Sequence, residues 1–365
     1  MKIETLLPLG KVDPGLRAPA TPLDVAAVAR DARLVEDLGY DGLVVEETKD
    51  DPYVVSALAA QATSRLAIGT AVAMAFPRSP TITALSAWTL QKLCAGRFTL
   101  GLGTQVRGHI ERRYGLRWSS PGPWMREYVQ AVRAVWRCWQ ARQPLDFRGQ
   151  RYRLDLMVPL FDPGPIDHPA IPIHLAAVNP YLCRVAGEVA DGLRPHPVCT
   201  PKYIAEVMLP AVREGAERAE RRLHGFSLAM KFLFATAPDR AGLGRAVDNA
   251  RARIAFYAST PAYRPAFATH GLGDLADRLK HYSREKRWEE MPPLISDEVL
   301  ETYVVVGTHD EIAEKILARF GSLATGVEFS IPVATDSERR TLGRIVEAIR
   351  GRKPPETLAR ILVSA

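Results

Sequence analysis

The residues with the clearest chemical promise sit in short runs where an apolar segment gives way to small or polar residues. The first run is Gly101-Leu102-Gly103-Thr104-Gln105-Val106-Arg107-Gly108-His109. Glycines, a hydroxyl, an amide and a cation at the start of a helix form a cradle for an anion or a polar cofactor. It is not a P-loop, because no Gly-Lys-Ser/Thr follows. The second run is Ala176-Ala177-Val178-Asn179-Pro180. Its small residues can offer bare backbone N–H groups to a phosphate, although Asn179 as a helix cap before Pro180 explains the same pattern. The third is Arg194-Pro195-His196-Pro197, where two prolines restrict the direction of His196. That restriction sets His196 above the other seven of the eight histidines as a proton carrier, whereas a lone His109 is more often a surface residue. Glu46-Glu47-Thr48-Lys49 forms a fourth run. Side chains alternate along a strand, so only one of Glu46 and Glu47 points inward there. Finally, Phe256–Tyr263 sets aromatics beside hydroxyls, with Tyr257, Ser259 and Tyr263 suited to a substrate lid or to a helix end over a core Phe.

What is missing narrows the chemistry. There is no His-Glu-x-x-His, no Gly-x-Ser-x-Gly and no Cys-x-x-Cys, so metal, serine-hydrolase and zinc-ribbon readings lack their ligands or nucleophiles. A cofactor that carries its own redox chemistry fits that gap. Four scattered cysteines suit a reducing cytoplasm better than a disulfide scaffold. No apolar run approaches the roughly 20 residues of a membrane span, and the N-terminus does not read as a signal peptide. Among 365 residues, 48 Lys+Arg against 41 Asp+Glu leave a charge of +7. Without a basic run, that surplus favours an acidic small molecule over nucleic acid as the partner.

These runs need a frame that brings them together. Residues 2–7, 42–46, 66–74, 98–102, 171–176, 192–194, 226–235 and 327–331 read as strands. Helices are expected between them: one capped by Thr21 before Pro22, one at 51–62, and one from Ser79–Pro80 with Ile82, Leu85, Trp88 and Leu93 inward. Further helices are expected at 124–140, 180–190 and 202–222, and a hairpin near 147–154. Thr308-x-x-Glu311 reads as a capping box. Eight strands alternating with helices predict a (β/α)8 barrel spanning residues 1–345, with a mainly helical insertion at about 238–300 after strand seven and a tail from 346 to 365. A doubly wound sheet is second choice, since the first turn, Leu7-Pro8-Leu9-Gly10, lacks the Gly-x-Gly-x-x-Gly fingerprint. The site then lies at the strand C-termini.

The same stretches carry a family resemblance. Residues 100–107 (LGLGTQVR), 186–193 (AGEVADGL), 256–263 (FYASTPAY) and 306–313 (VGTHDEIA) make the chain resemble the bacterial luciferase-like superfamily, in its branch using the deazaflavin coenzyme F-420. The resemblance implies a hydride-transferring oxidoreductase, expected as a homodimer. It implies a non-proline cis peptide at Ala71–Val72 behind the deazaflavin ring. It implies coenzyme contacts from Thr104, Gln105, Val106, Arg107 and His109, and a phosphate held by the amides of Ala176, Ala177, Val178 and Asn179. Related sugar-phosphate dehydrogenases carry Asp-His after strand two, where this chain has Glu47 and Thr48, so that histidine's role does not transfer. A glutamate of those relatives falls on Val106. Glu47, His109 and His196 are then the candidates for proton transfer, with Arg107 and Arg194 expected to meet an anionic coenzyme. An FMN-dependent two-component monooxygenase and a non-catalytic flavin-binding barrel are the alternatives.

Overall fold

The computed structural model describes residues 1–11, 22–351 and 358. Eight parallel strands close into a barrel: β1 (Lys2–Thr5), β2 (Gly42–Val45), β3 (Ala67–Thr70), β4 (Phe98–Gly103), β5 (Ile173–Ala177), β6 (Gly192–Pro195), β7 (Ser227–Lys231) and β8 (Gly326–Glu328). Each strand pairs with its neighbours in sequence, β8 pairs with β1, and the β3–β4 pairing completes the ring. The predicted (β/α)8 architecture is therefore the observed one. Its helices include α1 (Val28–Asp37), α2 (Pro52–Ala62), α3 (Pro80–Leu93), α4 (Pro121–Ala141), α5 (Pro180–Val189), α6 (Leu209–Arg218), α7 (Ile312–Phe320) and α8 (Asp336–Arg350).

Local chemistry explains the helix starts. Asp51 accepts from the amides of Tyr53 (2.8 Å) and Val54 (3.2 Å), with Pro52 in the first turn. Such a cap stabilises a helix by about 1 kcal/mol. Thr335 and Glu338 form a reciprocal capping box at α8. The box expected at Thr308 and Glu311 forms only in half. Glu311 accepts from the Thr308 amide (3.0 Å), but no side chain caps α7. Thr21 lies outside the described residues, and the first observed cap is Asp24, which starts a single turn ahead of α1.

Three expectations about packing need correction. In α3 the core side is Thr83, Ala84, Ala87, Trp88, Leu90 and Gln91, while Ile82, Leu85 and Leu93 are exposed. Small residues face inward because α3 is wedged between α2 and α4. The run expected as one strand at 226–235 is two. β7 ends at Lys231, Phe232 is buried between, and Leu233–Ala237 leaves the barrel to pair in parallel with Val304–Thr308, a strand not anticipated. The helix expected to Arg222 ends at Arg218 and contains a π-helical turn at Ile204–Met208. The insertion is mainly helical as expected, led by Arg240–Ala258, and α8 continues past residue 345 to Arg350.

Candidate functional site

The site is built first by how β3 ends. The Ala71–Val72 peptide is cis, as the family resemblance implies. Thr70 Oγ1 donates to Gly101 O (2.6 Å) and accepts from Gly101 N (2.9 Å), which pins β3 to β4 just before it. The glycines of β4 are required by this approach. A Cβ on Gly101 would lie 1.9 Å from Thr70 O, and one on Gly103 would lie 2.6 Å from Val72 Cγ2.

Glu47 secures the chain beyond the bulge. Its Oε2 accepts from Met74 N (2.7 Å) and from Arg78 Nη1 (2.7 Å), and Arg78 also reaches Asp51 at 3.1 Å. Burial works against the Arg78 charge, but the hydrogen bond and charge of Glu47, joined by Tyr53 and Asp51, together outweigh it and hold the guanidinium above its ordinary range. Glu47 is not on the wall of the cavity described next. Its carboxylate is spent on the frame behind that wall.

A cavity of about 580 Å³ opens at the C-terminal ends of the strands. Val72 and Met74 form one side, and Gly103, Ala176 and Ala177 continue that wall with no side chain longer than a methyl. Thr104, Gln105, Val106 and Arg107 form the next arc, then Val178 and Asn179 at the start of α5. Asn179 Oδ1 is already committed to the amide of Leu182 (2.9 Å), so it acts as the helix cap. Gln105 takes a left-handed φ of 57°, and its Oε1 accepts from the Val106 amide (2.8 Å). Arg107 lies on the rim, exposed and paired with Glu111 at 3.0 Å. His109 is exposed on the short helix Arg107–Arg112 and does not line the cavity.

The opposite wall comes from β6 and from the insertion. His196 lines the cavity with its ring stacked on Tyr263, 4.1 Å apart at 26°. Tyr257 meets the same ring edge-on at 4.7 Å. The insertion thus delivers an aromatic layer onto the histidine that the flanking prolines direct. Ser259 does not reach this wall. Its buried hydroxyl donates to Phe256 O (2.7 Å) and closes the end of helix Arg240–Ala258.

The floor holds charged residues that the sequence reading missed. Lys231 and Glu328 end neighbouring strands, lie opposite each other in register, and both line the cavity. Lys231 Nζ is 3.6 Å from Glu328 and 3.6 Å from Glu46, and Glu46 is also paired with Lys11. Of the two adjacent acids, it is therefore Glu46 that reaches the cavity's charges. Arg194 lies beneath, with Nη1 and Nη2 at 2.5 and 3.0 Å from the two oxygens of Glu4. Burial opposes its charge, but Glu4 and then Glu328 hold it above its ordinary range. The expected surplus of cations does not gather at the mouth: Arg194 is neutralised inside the barrel and Arg107 on the rim. The signal missed was the strand end. With β7 and β8 extended by several residues, Lys231 and Glu328 read as mid-strand positions.

Among the described residues, no group of three or more His, Cys, Asp and Glu side chains is placed to hold a metal, and no helix is long and apolar enough to cross a membrane. All four cysteines are free and buried.

Comparison with known proteins follows the geometry. The family model for luciferase-like monooxygenases matches residues 5–326. An uncharacterized Mycobacterium tuberculosis protein, Rv1360, is 42% identical over 292 residues, covering 80% of this chain and 86% of its own. A second protein of that organism, Rv3520c, provisionally named a coenzyme F-420-dependent oxidoreductase, is 29% identical, covering 91% of this chain and 96% of its own. Among solved structures, the coenzyme F-420-dependent tetrahydromethanopterin reductase of Methanopyrus kandleri superposes with a TM-score of 0.72. It is 20% identical, and the match covers 95% of this chain and 98% of that one.

Proposed function

The chain belongs to the luciferase-like monooxygenase family, and from that premise we propose that it is an oxidoreductase transferring a hydride between coenzyme F-420 and a small organic substrate. One observation carries the reading: the flat slot over the Ala71–Val72 bulge and the small residues Gly103, Ala176 and Ala177, which lie side by side as one wall of the cavity. A planar tricyclic ring fits against such a wall. The likeness to Rv3520c supports F-420 as the ring system.

The bound deazaflavin supplies the carbon that gives or takes the hydride. The protein's own residues supply the rest. Val72 backs the ring and fixes its face, which sets the approach of the substrate. The backbone at 176–179, together with the N-terminus of α5, receives the phosphodiester. His196, Lys231 and Glu328 occupy the part of the cavity left for the substrate, and each can hold or pass the proton that accompanies the hydride. The Tyr263–His196 stack shields that half from water at the mouth. Of the three sequence candidates for proton transfer, only His196 stands on the wall.

The purified protein should quench or shift F-420 fluorescence on titration and leave FMN unaffected. Tight FMN binding with no response to F-420 would instead support a flavin monooxygenase, the activity that gives the family its name.

A further inference from the structure

The interior of this barrel is not packed as such barrels usually are. Layers of Val, Ile and Leu normally fill the axis. Here, among the described inward strand positions that line either axial cavity, Val44 is the only branched aliphatic one. Glycines at 42, 192 and 326 make room for long polar side chains. A Cβ on Gly326 would lie 3.3 Å from that of Lys2, one on Gly42 would lie 3.4 Å from that of Glu4, and one on Gly192 would lie 2.7 Å from the His174 ring.

The result is a second cavity, of about 230 Å³, at the N-terminal end of the barrel. Lys2 and Ala67 line it and are exposed, so it opens to bulk water at the face opposite the coenzyme slot. Arg194 and Ala229 line both this cavity and the upper one. The Arg194–Glu4 pair is thus a partition across the axis rather than a packed plug. Two buried nitrogens beside the lower cavity, His174 Nδ1 and Arg194 Nε, have no hydrogen-bond partner among the described residues. Buried polar groups are nearly always partnered, and where the protein supplies no partner an internal water does.

We propose that the barrel axis is a solvent-filled passage that joins the N-terminal face to the floor of the upper cavity. It gives water and protons a second entrance to Arg194, Lys231 and Glu328 while the C-terminal mouth is filled. The inference rests on the coenzyme reading only for what fills that mouth.

Ala229→Cys places a thiol at the junction, against a background of four buried native thiols. With the upper mouth saturated by F-420 (or by FMN, if fluorescence shows that only FMN binds), methyl methanethiosulfonate should modify this thiol at a rate within about threefold of the ligand-free rate. Adding Ala67→Trp at the lower opening should then slow modification at least tenfold. Protection of more than about threefold by the ligand alone, or no slowing by Ala67→Trp, overturns the proposal. If neither flavin binds, the functional reading fails, yet the passage is still decided by Ala229→Cys with the upper mouth closed by Ala176→Trp in place of a ligand. Modification must then be fast and blocked by Ala67→Trp. In a high-resolution crystal structure, waters within hydrogen-bond distance of His174 Nδ1 and Arg194 Nε are expected, and a dry or side-chain-filled axis overturns the proposal.

Discussion

Glu46 and Glu47 are neighbours in sequence, and their side chains are 18% and 12% exposed, so burial does not tell them apart. They leave the end of β2 on opposite sides. Glu47 turns behind the wall, where it ties Met74 N and Arg78 to the exit of the bulge. Glu46 turns toward Lys231 and the cavity floor. A carboxylate at a strand C-terminus is therefore not by itself a catalytic signal. What decides is whether its partners belong to the frame or to the space the substrate would enter.

That contrast predicts where substitutions should hurt. Arg78→Ala leaves the Glu47 carboxylate in its low-dielectric position without its cation. Breaking such a pair costs about 3 kcal/mol or more, because the remaining charge stays buried. Glu46→Gln, by contrast, should cost about 1 kcal/mol, since Lys231 keeps Glu328 and the amide oxygen can still accept from Lys11. Urea denaturation of both variants measures the difference. Equal losses would mean that the two acids share one role.

Gly103 stands between the frame and the cavity, so Gly103→Ala should register on both. The added Cβ would press on Val72, and overpacking of this kind costs about 2 kcal/mol. The displaced Val72 would intrude on the slot, and F-420 affinity should fall at least tenfold. Unchanged affinity in a fluorescence titration would move the ring elsewhere.

Much of this frame was legible in the sequence because local signals agreed with the global fold. Apolar runs of strand length alternate with capped helices, and the polar or glycine-rich ends at 101–107, 176–179 and 194–196 fall at the mouth. What escaped detection had a physical cause in each case. Phe226–Ala235 is one continuous run of strand-forming residues, yet it serves two sheets, so its length concealed Lys231 as a strand end. In α3, periodicity selected Ile82 and Leu85, while close helix packing buried Thr83, Ala84 and Ala87 instead. The direction of Glu47 depends on Arg78, which lies 31 residues away in sequence.

His174 extends the comparison to the lower barrel. Burial, reinforced by Arg194 and Lys2, pushes its pKa down to about 3. The folded state thus holds it neutral while the unfolded chain protonates near 6.5. Its contribution is present above about pH 6.5 and is lost as the pH falls toward 3, at about 1.4 kcal/mol per pH unit in that window. His174→Gln, which cannot titrate, should flatten the acid limb of stability against pH by that slope. Parallel curves for the two proteins would mean that the water of the axial passage solvates the ring fully and offsets its burial.

The smallest expected effect concerns His109, one of the two histidines offered for proton transfer. His109 is exposed, belongs to a six-residue helix and touches neither the frame nor the cavity wall. His109→Ala should change stability by no more than about 0.5 kcal/mol, as surface substitutions usually do, and leave F-420 affinity unchanged. His196→Ala removes a ring that lines the cavity and carries the Tyr263 stack. It should leave coenzyme affinity within about threefold, since the slot lies on the other wall, but lower turnover at least tenfold in any substrate screen that yields activity. Proton transfer by a positioned histidine contributes about 10²–10⁴-fold, so a smaller loss assigns the proton to Lys231 or Glu328 and leaves His196 as part of the aromatic wall.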